Sequence, residues 1–582
     1  MIKFIIDINI NDRDIFKRNL FKVTPQSLRK IIIDEAQLYV WGDPILNDEI
    51  ELHSEDDKQI NEILNKIYGH YYYLMVKEHT CYIGNSIFSV LPVYYTNSKK
   101  VLISNSSYEI NRVIENNEIS KRFILENILF NYPLFNHSCY SDISLLPANS
   151  YIKIKDGEFS INKHTHIEDY FVESPRNWKK SVDYISDLFI DTSQKYFPVE
   201  QASYALTGGF DGRTLVSCSL SYGNKFDTFC FGSKDSDDII IGKYIADRLG
   251  INFKIFDLND KYVELDSKIN GLEFIRNASG ATTFARAHYL YAAKELASEY
   301  RYIVTGNFGN EILQTSSVFG VITPPNIYNL FASNSFDEAI EKIKNSQEYA
   351  WLNKSRFSQE WESLLADLRI LPSFDKKYSI LTKTQKYYLT RYEETLRKYF
   401  GAEMVNHLNY ICNRTPFLDF YFLKELLKTE LAAANGEFFM RNPIKRYKGQ
   451  VIYGHIIRKT TPMLGKLKSS WGYSPDDLVS TIGKLKIFYG YFKRRGFIKG
   501  IINSPQRYER KRNQKSKIID PFGVNNSFLN NMKYFRSLDI DRELFNYDMI
   551  TNSFDEKRIS RQFYATLSQV YWHNYINQTH KK

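Results

Sequence analysis

The spacing of apolar residues changes near residue 170, and that change constrains the fold more than any other feature. Before it come runs with strand alternation or β-branched and aromatic content: FIIDINI, KIIIDEAQLYVWG, YYYLMV, CYIGNSIFSVLPVYY, VLISNS and YIKIKDG. Turn pairs such as Gly84-Asn85 and Asp156-Gly157 punctuate them, and one helical stretch, around Lys121 to Phe130, interrupts them. This is an α+β or all-β pattern. A polar stretch, HIEDYFVESPRNW, carries Pro175 and precedes an amphipathic helix opening near Trp178. The expected division is therefore 1–165 and 176–582. After it, strand and helix alternate: SYALTGG, FDTFCFG, NFKIFDL and RYIVTG are strands, with helices through Leu220, over SDDIIIGKYIADRLG and near Phe284 to Tyr300. Such alternation predicts a parallel, doubly wound sheet with helices on both faces. From about Asp337 onward the pattern is mostly helical.

At 582 residues the chain has room for two large domains. No apolar run approaches the roughly 18–20 residues of a membrane-spanning helix. The start, MIKFIIDINI, lacks the charged region and apolar core of a signal peptide, so a cytoplasmic location is expected. The five cysteines, Cys81, Cys139, Cys218, Cys230 and Cys412, are scattered and odd in number. That argues against a disulfide framework and against a zinc site. The net charge of +10 is local: Lys484 to Lys517 holds about a dozen Lys and Arg against one acid, Glu509. Either this is a solvated face or it docks something acidic: a peptide or partner, a membrane face or nucleic acid.

The segment with the most chemistry is Leu206-Thr207-Gly208-Gly209-Phe210-Asp211-Gly212-Arg213. A buried strand runs into a hydroxyl, two glycines, a carboxylate and a helix. Backbone N–H groups in such a loop bind phosphate oxygens, and glycines let the backbone approach them. Asp211 then stands where it could hold Mg²⁺ against those phosphates. The pattern is neither GxxxxGK[ST] nor GxGxxG. Taken alone, the glycine pair also fits a purely structural strand–helix turn.

TGGFDGR resembles the SGGxDS pyrophosphate loop of the ATP-pyrophosphatase family, with Gly212 in place of the second Ser. Val304-Thr305-Gly306-Asn307-Phe308-Gly309-Asn310-Glu311 is similar to the GEGADE segment of asparagine synthetases, with Asn310 where they have Asp. Arg414-Thr415-Pro416-Phe417-Leu418-Asp419 resembles their RVPFLD segment, preceded by Asn413 in place of the usual Glu, and is mainly structural. RKTTPMLGKLKSSWGY, from Arg458 to Tyr473, resembles the segment supplying their phosphate-binding lysine, at Lys468 or, alternatively, Lys466. The stretch from about Tyr71 to Ile114, closing with ISLLPANSYIKIKDG, is similar to class-II glutamine amidotransferases. Those enzymes use a Cys at position 2, with its α-amine, as nucleophile. Here position 2 is Ile2, so glutamine hydrolysis is not expected, a loss shared with lasso-peptide cyclases and β-lactam synthetases.

The resemblance implies an Ntn-hydrolase-like sandwich without its nucleophile, docked on an ATP-pyrophosphatase domain with a helical extension. It implies an ATP-dependent ligase that adenylates a carboxylate of a small molecule or peptide and passes the acyl group to an amine. ATP would lie against Leu206, Thr207, Gly208, Gly209, Asp211, Gly212, Phe231, Gly232, Thr305 and Gly306. Mg²⁺ would be held by Asp211, Asn310 and Glu311, and Lys468, Asp211 and Glu311 would carry the catalysis. Glu393 or Glu394 are candidates for deprotonating the amine. Two alternatives remain: a nucleotide-binding pseudoenzyme, motivated by Gly212, Asn310 and Asn413, and an RNA-modifying adenylating enzyme, which the PFLD and glutaminase-like segments argue against.

Overall fold

A computed structural model describes residues 3–9, 20–25, 27–33, 36–46, 56–97, 100–116, 118–258, 262, 267–314, 322–439, 448–469, 472–487, 529, 531–556 and 560–580. Ile2 and most of the basic stretch 484–517 lie outside the described residues. Up to Lys163 the strands are β1 (Ile5–Asn9), β2 (Phe21–Val23), β3 (Arg29–Ile33), β4 (Ala36–Leu46), β5 (Ile67–Lys77), β6 (Thr80–Asn85), β7 (Tyr94–Tyr95), β8 (Lys100–Ser104), β9 (Ser144–Leu145), β10 (Ser150–Lys155) and β11 (Glu158–Lys163). They form two sheets, ordered β2-β1-β8-β7-β9 and β11-β10-β6-β5-β4-β3, with antiparallel neighbours throughout.

The two-residue period of a strand explains how the larger sheet is buried on both faces. Along β5, Tyr72, Leu74 and Val76 join the main core, while Tyr71, Tyr73 and Met75 point the other way into a second core. The helix Asp56–Lys66 covers that outer side with Ile60, Ile63 and Leu64. Phe4, Phe21, Trp41 and Tyr72 pack ring against ring on the inner side, at centroid separations from 4.9 to 5.8 Å.

The helix expected around Lys121 to Phe130 is present, capped by Ser120, whose hydroxyl accepts from Phe123 N. Two more helices join it, Asp56–Lys66 and Ser107–Ile114. Neither is expected from the sequence, where the one helical stretch read before Lys163 is that around Lys121 to Phe130. Ser106 caps the start of Ser107–Ile114, and Glu115 ends it in the left-handed conformation.

The later strands are β12 (Ala202–Ala205), β13 (Asp227–Gly232), β14 (Phe253–Asp257), β15 (Tyr302–Val304) and β16 (Cys412–Arg414). All four pairings are parallel, in the order β14-β13-β12-β15-β16. The chain therefore winds outward from β12 in one direction, then starts again at β15 in the other. Helices Asp211–Ser221 and Asp237–Leu249 make the first crossovers. The second begins at Ser236, which caps it, and ends at left-handed Gly250. The helix expected near Phe284 to Tyr300 is shorter: a 3-10 turn at Phe284–Arg286 leads into Ala287–Leu296.

The main core runs without a break from Phe4 to Ile576. Charge adds to the join: Arg414 at the end of β16 makes a bidentate pair with Asp43 of β4, at 2.9 and 3.2 Å. The helix Arg561–His580 touches both halves. Gln562 donates to the Ile128 carbonyl, Trp572 Nε1 to Cys139 Sγ, and Gln569 to the Gly280 carbonyl. No helix among the described residues is long and apolar enough to cross a membrane.

Candidate functional site

In an open parallel sheet, the loops leaving the C-terminal ends of the strands diverge where the winding reverses, and a crevice opens there. Here the reversal lies between β12 and β15. The two loops leaving those strands are Leu206–Phe210 and Thr305–Phe308, the two segments singled out in the sequence.

The loops meet at Asp211, the first residue of its helix. Asn310 Nδ2 donates to Asp211 Oδ2 at 2.7 Å, and Tyr453 of the helix Lys448–Thr460 donates to Oδ1. The approach is close enough to require glycine on the facing loop. A Cβ at Gly306 would lie 2.5 Å from the Asp211 Cβ, and one at Gly309 would lie 2.4 Å from Asp211 Oδ1. Phe308 between them is buried in the left-handed region (φ 72°), with its ring 4.5 Å from that of Phe400. A bulky residue in that conformation is held by its surroundings, and such positions cluster at functional sites.

Burial pushes the Asp211 carboxyl up to about 7, with Glu311 nearby adding to the rise and the Tyr453 hydrogen bond opposing it. Burial also raises Glu311, partly offset by Arg391. Two carboxylates so placed repel each other and gain from any cation between them. Asn310 is exposed and turns its amide nitrogen, not its oxygen, toward Asp211, while the oxygen accepts from Gln314. As an oxygen ligand it would have to turn over, and Gln314 with it.

The phosphate-type loop is partly satisfied from within. Gly208 N donates to Asp238 Oδ1 at 3.1 Å, and Gly209 N to Thr207 Oγ1 at 3.2 Å. Leu206 is buried and extends the strand, its N–H reaching the Phe229 carbonyl at 2.9 Å. Thr305 N–H reaches the Arg414 carbonyl at 3.1 Å, and its hydroxyl donates to Asn413 Oδ1 at 2.9 Å. Phe231 and Gly232 end β13; the Phe231 ring lies 4.9 Å from His288 and 5.4 Å from Tyr289. Lys466 and Lys468 are both exposed, and the lysine segment lies against the loop-bearing helix.

No protein-family model matches the chain, and no curated protein matches it. Among solved structures it is similar to a glutamine phosphoribosylpyrophosphate amidotransferase from B. subtilis complexed with ADP and GMP. The TM-score is 0.16 and the identity 9%, over 55% of this chain and 72% of that one. A likeness of that size carries no argument, so function rests on the geometry of the site.

That geometry brings in residues the sequence did not single out. Glu403 is fully buried beside the site: its carboxylate accepts from Asn307 Nδ2 at 2.7 Å and from Arg286 at 2.9 Å. Burial raises its carboxyl, Arg286 and Asn307 opposing, and Glu311 adds to the rise. Glu393 and Glu394 are placed differently from the expectation. They lie in a π-helical segment, Arg391–Phe400, where Glu393 pairs with Lys163 of β11 and Glu394 with Lys398 and Arg397. Glu393 is thus engaged toward the antiparallel half and Glu394 within its own segment. The RTPFLD segment is structural, as expected: besides the Arg414–Asp43 pair, Asp419 caps the next helix and accepts from Tyr196 at 3.0 Å. Among the described residues no cluster of three or more His, Cys, Asp or Glu could hold a metal ion.

Proposed function

We propose that the chain is an ATP-dependent ligase that adenylates a carboxylate and passes the acyl group to an amine. The observation that carries this reading is the meeting of the Thr207–Gly209 loop and the Gly306–Glu311 segment across Asp211, at the reversal of the parallel sheet. Nucleotide phosphates would lie over the loop, facing the N-terminus of the Asp211–Ser221 helix. Mg²⁺ usually takes one or two protein carboxylates plus phosphate oxygens and water. Asp211 and Glu311 fit that requirement, and a cation between them would reverse the rise of both carboxyls. The ion would supply charge neutralisation at the phosphates.

The substrate carboxylate attacks the α-phosphorus and pyrophosphate leaves; the amine then attacks the acyl carbon and AMP leaves. Lys468 stabilises charge on the departing phosphates. Glu403 is the candidate to take the proton of the amine: although paired with Arg286, its other oxygen is held by Asn307 of the loop that leads into the Glu311 helix. Among the described residues Glu393 and Glu394 have no bond to that loop. The N-terminal sheets take the place of a glutaminase without its nucleophile. Burial pushes all five thiols up to about 12, and a thiol so held does not form the reactive thiolate. A second reading, a nucleotide-binding pseudoenzyme, is favoured by one observation: Asp211 is already satisfied by Asn310 and Tyr453.

Incubation with ATP, Mg²⁺ and hydroxylamine separates the two, with aspartate, glucuronate and a synthetic acidic peptide as carboxylate probes. A ligase releases AMP and pyrophosphate and forms a hydroxamate with a carboxylate of one of these classes. Binding of MgATP without AMP in every case would leave the pseudoenzyme. In the same assay Lys468→Ala should lower turnover by about 10²–10³-fold with little change in the KM for ATP. If Lys466→Ala does this instead, the phosphate lysine is Lys466. Glutamine labelled at its amide nitrogen should transfer no label to product, whereas ammonia or an amino substrate should be consumed. Labelled ammonia released from glutamine by the purified chain would overturn that part.

A further inference from the structure

Two side chains of the loop motif, Phe210 and Arg213, reach the lysine-bearing segment, and a third, Asp211, reaches the helix before it. Phe210 lies 5.6 Å, ring to ring, from Tyr473, and Asp211 accepts from Tyr453 on the helix leading into that segment. Arg213, two residues further, is completely buried. Its guanidinium donates to the carbonyls of Leu467 and Lys468, the second at 3.2 Å, and lies 5.4 Å from the Phe210 ring. Ser469 N and Oγ both donate to the Tyr473 carbonyl, at 2.8 and 2.9 Å.

Among the described residues Arg213 has no carboxylate partner, and its Nε has no hydrogen-bond acceptor. Burial lowers its pKa to about 10, with no acid to offset this. An apolar side chain of similar length would fill the same space without burying a charge, which is the more stable arrangement wherever a charge has no second task. The task visible here is to hold two successive carbonyls of the turn that follows the short helix Pro462–Gly465 and its cap Lys466. The fork of a guanidinium suits two acceptors in a row; an ammonium is a point charge.

We infer that Arg213 is a positioning residue, which clamps the Leu467–Ser469 turn onto the helix of the phosphate loop and so fixes where Lys468 is presented. The inference rests on the ligase reading for its catalytic consequence, though not for the clamp itself. The buried charge also gives the site a standing positive field beside the loop, which anionic phosphates would satisfy.

Two measurements on the full chain test it. Hydrogen exchange of backbone amides from 462 to 474 reads the clamp directly. In Arg213→Met these amides should exchange about tenfold faster or more, with the core strands β12 and β13 unaltered, and Arg213→Lys should be intermediate. Turnover of ATP to AMP reads the consequence. Arg213→Met should lower kcat by about 10–100-fold with the KM for ATP within about threefold. In a Lys468→Ala background the same change should add less than about threefold, because the residue it acts through is gone. Multiplicative losses in the double variant, or unchanged exchange at 462–474, would overturn the inference. If Arg213→Met does not fold, Arg213→Lys is held to the same two criteria. If the wild type forms no AMP, the ligase reading falls and hydrogen exchange alone decides the clamp.

Discussion

Asp211→Asn is expected to abolish adenylation, by about 10³-fold or more, while making the ligand-free chain more stable above pH 7. The two effects have one origin. The wild-type carboxyl is held up to about 7 by burial, with Glu311 adding to it. An aspartate in the unfolded chain titrates near 4. Between those values the folded state binds the extra proton, so stability is complete below about pH 4 and is lost as pH rises toward 7. Asn carries no charge to desolvate and should show no such decline. The difference in melting temperature between variant and wild type should therefore widen from pH 5 to pH 8, by a few degrees, since part of the carboxylate remains open to water. Mg²⁺ with ATP should remove the difference by stabilising the wild type alone. Near-normal pyrophosphate release by Asp211→Asn would mean that the loop has another use.

Gly212→Ser should damage the protein, although serine is what the resembling pyrophosphate loops carry there. In this fold a Cβ at position 212 would lie 2.1 Å from the Ala205 carbonyl oxygen and 3.2 Å from its carbon. Both belong to the backbone at the end of β12, so neither can swing aside. Overpacking of this kind costs on the order of 1–3 kcal/mol, and more where backbone must shift. The helix would have to back away from the strand, and Asp211 with it. A lower melting temperature and weaker binding of MgATP are expected together. A variant with raised turnover and unchanged melting would show that the helix can retreat freely. Gly212 is thus a packing requirement of this chain.

The parallel sheet was legible because β12 to β15 are each an apolar run ended by turn residues and separated by a helix. β16 was not, since three residues, Cys412–Arg414, carry no periodicity, and only their pairing with β15 makes them a strand. The glycine loop and the Gly306–Glu311 segment could be found because each is a local pattern. Tyr453, Arg213 and Glu403 could not be assigned, because their meaning lies in partners 242, 255 and 96 residues away. Glu393 and Glu394 show the converse. They looked available in sequence, and a π-helical turn directs them to Lys163 and Lys398.

The helix Arg561–His580 reaches back across 434 residues to Ile128 and 433 to Cys139, and it also lines Gly280, where a Cβ would lie 2.4 Å from the Trp572 ring. A ribosome adds residues at about 5–20 per second, so a nascent chain waits on the order of half a minute between making the first surface and making its cover. During that interval the Ile128 carbonyl lacks its partner on this helix, and Cys139 its contact with Trp572. The yield on expression should therefore depend on how synthesis is paced.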